Sequence, residues 1–462
     1  MKKYIINFLL LVLIFHLSAQ QPNVVSTLSI DAEDVSGEID LTKYSLGQGG
    51  LSPEPMIDAH LPQLQNLHPK TIRFFIQEYF NIYPAHGKYH WDILDKTLDA
   101  IVATGAQPIA DICFKPVILF PKIDENIVVP TSYTEWDNLV TELVKHCKIK
   151  GYGIVYWELG NEPDYGEAGG CPYKFTPENY LVFYKHTSAA VLKADPTAKV
   201  GGPGLGSYRS AIGDSLISYC GKGNAPLDFF SWHGYSDNTY DFRWNLRKVK
   251  GKLGKYPSLK NTETIITEWN GRIFDPNPNP NYQPAFVLEM TNMFHEEGLS
   301  AAAYYHIRDA YIDPVSFKFL TDQTVEDLGN MFNITPYFGI FDNQGRVRPT
   351  YYVFKCLSLM KGSQLAVKGM SGDVKALSVK SGKWINTLFW NFPAYKLSGK
   401  ESEFILNFSN VEDSGYRVIR ITTNGSCNNL VVTESGRIKD LKDNPLKLTL
   451  APYEIVWVEI RP

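Results

Sequence analysis

From Ser45 to about Met360, short apolar runs alternate with longer stretches that mix charge with apolar residues at helical spacing. This strand-then-helix rhythm predicts a parallel sheet with helical crossovers. Eight strands are expected, centred on Leu46, Ile72, Ile109, Tyr156, Val200, Phe230, Ile265 and Tyr304. Helical stretches fall between them at Trp91 to Thr104, Trp136 to Lys150, Glu178 to Ala194 and Ala285 to Glu297. Eight such units predict an α/β fold, a (β/α)₈ TIM barrel.

After Gly362 the pattern changes. Runs such as KALSVKSG, WINTLFWNF, RVIRITTNG, LKLTLAP and EIVWVEI are strand-like and broken by Gly, Asn, Ser and Pro. They predict a β-sandwich over 362–462, following a barrel over 45–361. Trp384, Trp390 and Trp457 lie in its apolar runs and are expected to be buried, with the sandwich covering one barrel flank. Val24 to Leu41 also reads as strand, so residues 20–44 are expected to join the sandwich. Asp275 to Pro284 is expected to be a stiff irregular loop.

The N-terminus adds a processing signal. Lys2 and Lys3, the apolar run Ile5 to Leu17 and then Ser18, Ala19 and Gln20 follow the order of a secretory signal peptide, expected over 1–19, with a periplasmic or secreted product. That run is shorter than the ~20 residues that span a bilayer, and no later run approaches that length, so no membrane span is expected. A net charge of −4, from 45 basic and 49 acidic residues, implies neither nucleic acid nor an anionic membrane as partner. The aromatic share of 13% suits buried cores and sugar faces alike, so it decides nothing by itself. Six cysteines are too sparse for a disulfide scaffold, and their spacing matches no metal site. With no HExxH and no Gly-rich phosphate loop, no metal or organic cofactor is expected.

Chemistry in such a barrel collects at the C-terminal ends of the strands. Glu162 follows the fourth strand in WELGNEPD, and Glu268 ends the seventh in IITEWN. A pair of carboxyl groups is what glycosidic cleavage requires, one to protonate the leaving oxygen and one to attack the anomeric carbon or activate water. Either glutamate alone would read as a surface residue; the pair points to chemistry. Glu158 lies within its strand and is expected to pair with a base inside the barrel, and Asp164 to cap a loop.

Asn161, Glu162 and Pro163 after the fourth strand, with Glu268 at the end of the seventh, resemble clan A glycoside hydrolases. Within that clan the chain is similar to glycoside hydrolase family 39, the β-xylosidases and α-L-iduronidases, in TIRFF, KYHWDILDKTLDAI, WELGNEPD, SWHGYS and ITEWN. The resemblance covers nearly the whole mature chain and implies a retaining hydrolase acting on a poly- or oligosaccharide. It implies Glu162 as acid/base, Glu268 as nucleophile, Asn161 on the sugar's 2-hydroxyl, and Arg73 as the group that holds Glu268 ionised. His233 and Tyr235 are expected to touch Glu268 or the sugar, although a hydrogen-bonded structural histidine is the alternative for His233.

The eighth strand departs from the pattern. Where the clan places a Trp beneath the sugar, this chain has Tyr305, His306 and Arg308 in AAAYYHIRD, so Tyr305 or Trp269 is expected to serve as the platform. Arg308, Arg272 and Lys115 are candidates for a basic cluster suited to a uronic or sulfated sugar, with solvated or paired surface residues as the alternative. Gln48 and Gly49 are candidates for the pocket floor. Two rival functions stand beside the retaining hydrolase. They are an inverting hydrolase, with carboxyl groups ~6.5–9.5 Å apart rather than ~5–5.5 Å, and a non-catalytic carbohydrate-binding barrel.

Overall fold

The eight expected strands close into a parallel barrel in a computed structural model that describes residues 26–48, 55–272, 279–309, 313–334, 339–393, 399–423 and 428–462. In chain order, β1 (Ser26–Asp40) precedes the barrel strands β2 (Tyr44–Gln48), β3 (Thr71–Ile76), β4 (Gln107–Ile112), β5 (Tyr156–Glu158), β6 (Lys199–Leu205), β7 (Phe229–Tyr235), β8 (Glu263–Asn270) and β9 (Ala301–Tyr305). Each pairs in parallel with the next, and β9 returns to β2 through Leu46 opposite Tyr304.

The crossovers carry α1 (Leu61–Gln65), α2 (Asp92–Ala103), α3 (Tyr133–Lys150), α4 (Pro177–Ala194), α5 (Ala211–Gly221), α6 (Thr239–Leu253), α7 (Tyr282–Glu296), α8 (Asp322–Ile334) and α9 (Pro349–Ser358). Their ends follow local chemistry. The Ser132 hydroxyl accepts the Glu135 amide at 3.2 Å to start α3, and Gly151 ends that helix in the left-handed region. Thr176 caps α4 in the same way, with Pro177 at the first helical position. Buried Leu94, Leu98 and Ile101 form the inward stripe of α2.

The remaining strands are β10 (Lys361–Lys368), β11 (Val374–Ser381), β12 (Trp384–Asn391), β13 (Ser402–Ser409), β14 (Gly415–Thr423), β15 (Asn428–Arg437), β16 (Leu446–Leu450) and β17 (Ile455–Arg461). With β1 they form one nine-stranded sheet in the order β15-β14-β17-β12-β11-β10-β1-β13-β16. The sheet curls into a sandwich. β12 and β13 stand four places apart in that order, yet their Phe389 and Phe404 rings meet at 5.2 Å. β1 pairs with β10 antiparallel and β13 parallel, so the first described strand lies inside the second domain.

The sandwich packs on the barrel flank formed by α7 and α9. Buried Glu289 of α7 accepts the Trp390 indole at 2.9 Å, and Tyr282 of the same helix meets the Tyr453 ring at 5.1 Å. Trp390 and Trp457 are buried, but Trp384 is 43% exposed. It pairs with Ser381 at the hairpin end of β11 and β12, where burial gives way to solvent. Cys113, Cys147, Cys171, Cys220 and Cys356 are buried free thiols. The expected signal peptide, Gly49 and part of the expected Asp275 to Pro284 loop lie outside the described residues. Among the described residues, no helix is long and apolar enough to cross a membrane.

Candidate active site

Glu268 and Trp269 are neighbours on β8, so they face opposite sides of the barrel wall. Glu268 points in. Its Oε1 accepts Arg73 Nη1 at 2.8 Å and its Oε2 accepts the Tyr235 hydroxyl at 2.6 Å. Arg73, buried on β3, also donates through Nε to Glu158 Oε2 at 2.6 Å and through Nη2 to Asn161 Oδ1 at 2.8 Å. Asp111 stands 3.4 Å from the same Nη2, and the guanidinium lies over the Phe75 ring at 4.5 Å. Glu158 is held from its other side by the Ser231 and Thr267 hydroxyls at 2.5 and 2.8 Å. A buried charge of this kind is tolerable only when its donors are matched, and every nitrogen of Arg73 has an acceptor.

Glu162 is held differently. It lies beyond β5 with φ +42°, a left-handed conformation that costs a non-glycine residue about 1–3 kcal/mol. The surrounding loop fixes it there. Its amide donates to the Gly204 carbonyl at 2.8 Å, and its carbonyl accepts the Tyr165 and Gly166 amides at 2.8 and 2.9 Å. Asp164 caps the neighbouring loop by accepting the Gly206 and Ser207 amides at 2.9 and 3.1 Å. Glu167 accepts the Thr321 and Thr324 hydroxyls at 2.6 and 2.8 Å, tying this loop to the start of α8. Gly169 lies flat on the Glu162 side chain. A Cβ there would stand 2.1 Å from Glu162 Oε2 and 2.6 Å from its Cβ.

His233 bridges the two carboxyl groups, with Nδ1 2.8 Å from Glu162 Oε1 and 3.5 Å from Glu268 Oε2. Burial and the Arg73 charge hold this imidazole well below its usual range, so it is neutral. Burial, then repulsion from Glu268, pushes the Glu162 carboxyl well above the usual carboxylate range. Glu268 also moves up rather than down. Its burial outweighs the Arg73 charge and the hydrogen bonds from Tyr235 and Arg73 that oppose the rise. Glu162 lacks such a set of donors, and the proton therefore belongs on Glu162.

One donor atom each from Glu162, His233 and Glu268 lie within 4.8 Å of one another. Among the described residues this trio is also the group of His, Cys, Asp and Glu side chains close enough to hold a metal ion.

The structure thus gathers Glu162, Glu268, Asn161, Arg73, His233 and Tyr235. Asn161 spends its Oδ1 on Arg73 and donates from Nδ2 to the Gly169 carbonyl at 3.2 Å. Tyr305 packs with Phe75, Cys113 and Tyr235, and burial together with the Glu268 charge holds its hydroxyl well above the usual range.

The other candidates lie elsewhere. Trp269 packs outward against Phe294 and Tyr304 at 5.1 and 5.3 Å, because it alternates with Glu268 along the strand. His306 bonds Asp309 at 3.0 Å, outside the carboxyl cluster. The Arg308 amide donates to Gln48 Oε1 at 2.9 Å, and its guanidinium reaches the Asn343 carbonyl at 3.5 Å. Lys115 is buried under the Phe120 and Tyr173 rings and donates to the Asp124 and Pro172 carbonyls at 2.6 and 3.0 Å. Arg272 is exposed and reaches Asp237 at 3.9 Å. Long cationic side chains follow the loops they leave from, so these three do not form a cluster.

Sequence reasoning passes over Asp111, Ser231, Thr267 and Gly169. Asp111 on β4 stands opposite Glu158, and Ser231 lies two residues before His233 on β7; that alternation is the signal that could find them. Thr267 faces inward beside Glu268 because the β7–β8 register slips there, so alternation does not find it.

A family model described as glycosyl hydrolases family 39 matches residues 71–394. A β-xylosidase of Caldicellulosiruptor saccharolyticus is 25% identical over 305 residues, 60% of this chain and 57% of that one. A β-xylosidase of Geobacillus stearothermophilus is 22% identical over 348 residues, 70% of this chain and 66% of that one. The chain therefore spans less than two thirds of these relatives' length. The crystal structure of a glucosidase from Croceicoccus marinus superposes with a TM-score of 0.73 at 18% identity, covering 95% of this chain and all of that one.

Proposed function

The chain belongs to glycosyl hydrolases family 39, and from that premise we propose that it is an exported retaining glycoside hydrolase with Glu162 as acid/base and Glu268 as nucleophile. The proximity of the two carboxyl groups carries this reading. Oxygens within 4.8 Å of each other suit a double displacement, whereas an inverting enzyme needs ~6.5–9.5 Å to seat water between its carboxyl groups. The Lys2 to Gln20 pattern supports export.

In the first step a Glu268 oxygen attacks the anomeric carbon while the Glu162 proton passes to the departing glycosidic oxygen, leaving a glycosyl ester on Glu268. Esterification removes the Glu268 charge and with it part of what holds the proton on Glu162. Glu162, now a carboxylate, takes a proton from water as the water oxygen attacks the anomeric carbon and frees Glu268. Arg73 and Tyr235 stabilise Glu268 as it returns to a carboxylate. Tyr305 is the aromatic wall of this pocket in place of Trp269.

The sugar in the pocket is a neutral pentose or hexose. Lys115, Arg272 and Arg308 are engaged elsewhere, and the Arg73 nitrogens are taken by Glu158, Glu268 and Asn161, which argues against a carboxylate-bearing sugar. A panel of aryl β-D-xyloside, β-D-glucoside and β-D-glucuronide tests the reading, with the anomer of the first-formed product followed by NMR. A neutral sugar should lead in kcat/KM by roughly tenfold or more, since an unpaired buried carboxylate is costly. The product should keep the substrate's anomeric configuration. A preferred glucuronide would overturn the neutral pocket, and an inverted product the mechanism.

A further inference from the structure

Two of the buried thiols face each other beside the active site. Cys113 follows β4 and packs with Phe75 and Tyr305 on the pocket wall. Cys171 follows Gly169 and Gly170, and Gly169 is the residue that lies on the Glu162 side chain. Contacts on either side of the cysteines fasten the two segments together. Before them, the Cys113 amide donates to the Ile76 carbonyl at 3.2 Å, and the next residue, Gln77, donates from Nε2 to the Gly170 carbonyl at 3.2 Å. After them, the Tyr173 hydroxyl donates to the Phe114 carbonyl at 2.8 Å, and Lys115 Nζ donates to the Pro172 carbonyl at 3.0 Å. Between these ties the Cys113 and Cys171 thiols are in hydrogen-bond contact. Burial, then that neighbouring thiol, pushes Cys113 well above the usual thiol range.

The other described cysteines are placed differently. Cys147, Cys220 and Cys356 lie on α3, α5 and α9, and the Cys220 thiol turns to the Pro226 carbonyl at 3.7 Å. A buried cysteine on a helix acts as a small apolar side chain, whereas a facing pair on two fastened loops suits a cross-link. We propose that Cys113 and Cys171 are joined by a disulfide in the mature protein, which ties the loop that holds Glu162 to the end of β4. The proposal rests on the export reading above, because exported chains fold among disulfide oxidants. The oxidant is a thiol carrier in its disulfide form, a dithiol oxidoreductase or glutathione. One cysteine thiolate attacks the carrier to give a mixed disulfide, and the second cysteine displaces it. The cysteines lose two electrons and two protons, and the carrier leaves with them as two thiols. Cys113 and Cys171 are 0% and 1% exposed, so the exchange precedes closure of the loop, and the finished bond is shielded from reductants.

The test takes the wild-type chain from the periplasm of an expression host, denatures it in iodoacetamide without reductant, and reads its digest by mass spectrometry. A second sample is refolded in a buffer of reduced and oxidised glutathione. Each should give one peptide pair linked through Cys113 and Cys171 that reduction splits in two. Alkylated Cys113 and Cys171 in the refolded sample would overturn the disulfide whatever the compartment. A chain that stays in the cytoplasm overturns the export reading alone, and the refolded sample then decides the disulfide. Thermal unfolding reads what the bond holds. Cys113→Ala, Cys171→Ala and the double variant should each melt about 5 °C below the oxidised wild type, with the double no lower than the singles. Additive losses would mark two separate packing defects and overturn the tie between the loop and β4.

Discussion

The end of β8 and the loop after β5 each deliver one glutamate to the same pocket, by opposite means. Glu268 sits in regular strand, and side chains hold it. Arg73 and Tyr235 occupy its two oxygens, and both moderate the pKa rise that burial imposes. Glu162 sits in a left-handed backbone conformation, and main chain holds it, with Gly204, Tyr165, Gly166 and Gly169 packed around it. The contrast matches two tasks. A nucleophile needs charge partners that survive its esterification and receive it again, whereas an acid/base needs a position fixed without a counter-charge that would strip its proton early.

The comparison can be broken from either side. The largest effect is expected at the strand, where Glu268→Gln should lower kcat by on the order of 10⁴-fold or more while ligand affinity in calorimetry stays near wild type. At the loop, Glu162→Ala should slow glycosides with poor leaving groups by about 10²- to 10⁴-fold and activated aryl glycosides far less. An equal loss on both would remove Glu162 from the acid role. Gly169→Ala tests the main-chain hold without touching a titratable group. With its Cβ 2.6 Å from that of Glu162, it should cost about 10²-fold in kcat by displacing the acid, and a near-wild-type rate would show that the loop yields.

Tyr235→Phe tests the side-chain hold at about tenfold in kcat/KM. Activity needs Glu268 charged and Glu162 protonated, so it falls below the lower and above the upper transition of the pH profile. Losing the Tyr235 donor disfavours charged Glu268 and should move the acid limb to higher pH, with the alkaline limb nearly in place. Arg308→Ala, remote from both carboxyl groups, should change kcat/KM by less than about twofold on a neutral substrate.

How far each part is legible in the sequence follows the same division. The barrel is readable from hydrophobic period, and every predicted strand centre falls within an observed barrel strand. Glu162, Glu268 and Arg73 are readable because strand ends in such a barrel converge on one mouth. The outward turn of Trp269 does not follow from residue order alone, because the register slips at Thr267 and brings both Thr267 and Glu268 inward before the indole turns out. The reach of Lys115, His306 and Arg308 does not either, because each leaves a strand end into a loop whose path decides its partners. Gly169 carries no signal at all in sequence. Its importance is the close approach of a loop that folds back on Glu162 and leaves no room for a Cβ, which would stand 2.1 Å from Glu162 Oε2.

The central claim is that Glu268 becomes covalently bonded to the sugar, and a 2-deoxy-2-fluoro glycoside with a good leaving group tests it most directly. The fluorine slows both steps and the activated leaving group restores the first, so the ester should accumulate. Peptide mass spectrometry should then place the added sugar on Glu268, with none on the Glu268→Gln protein. A label on Glu162, or none despite release of the leaving group, would contradict the account.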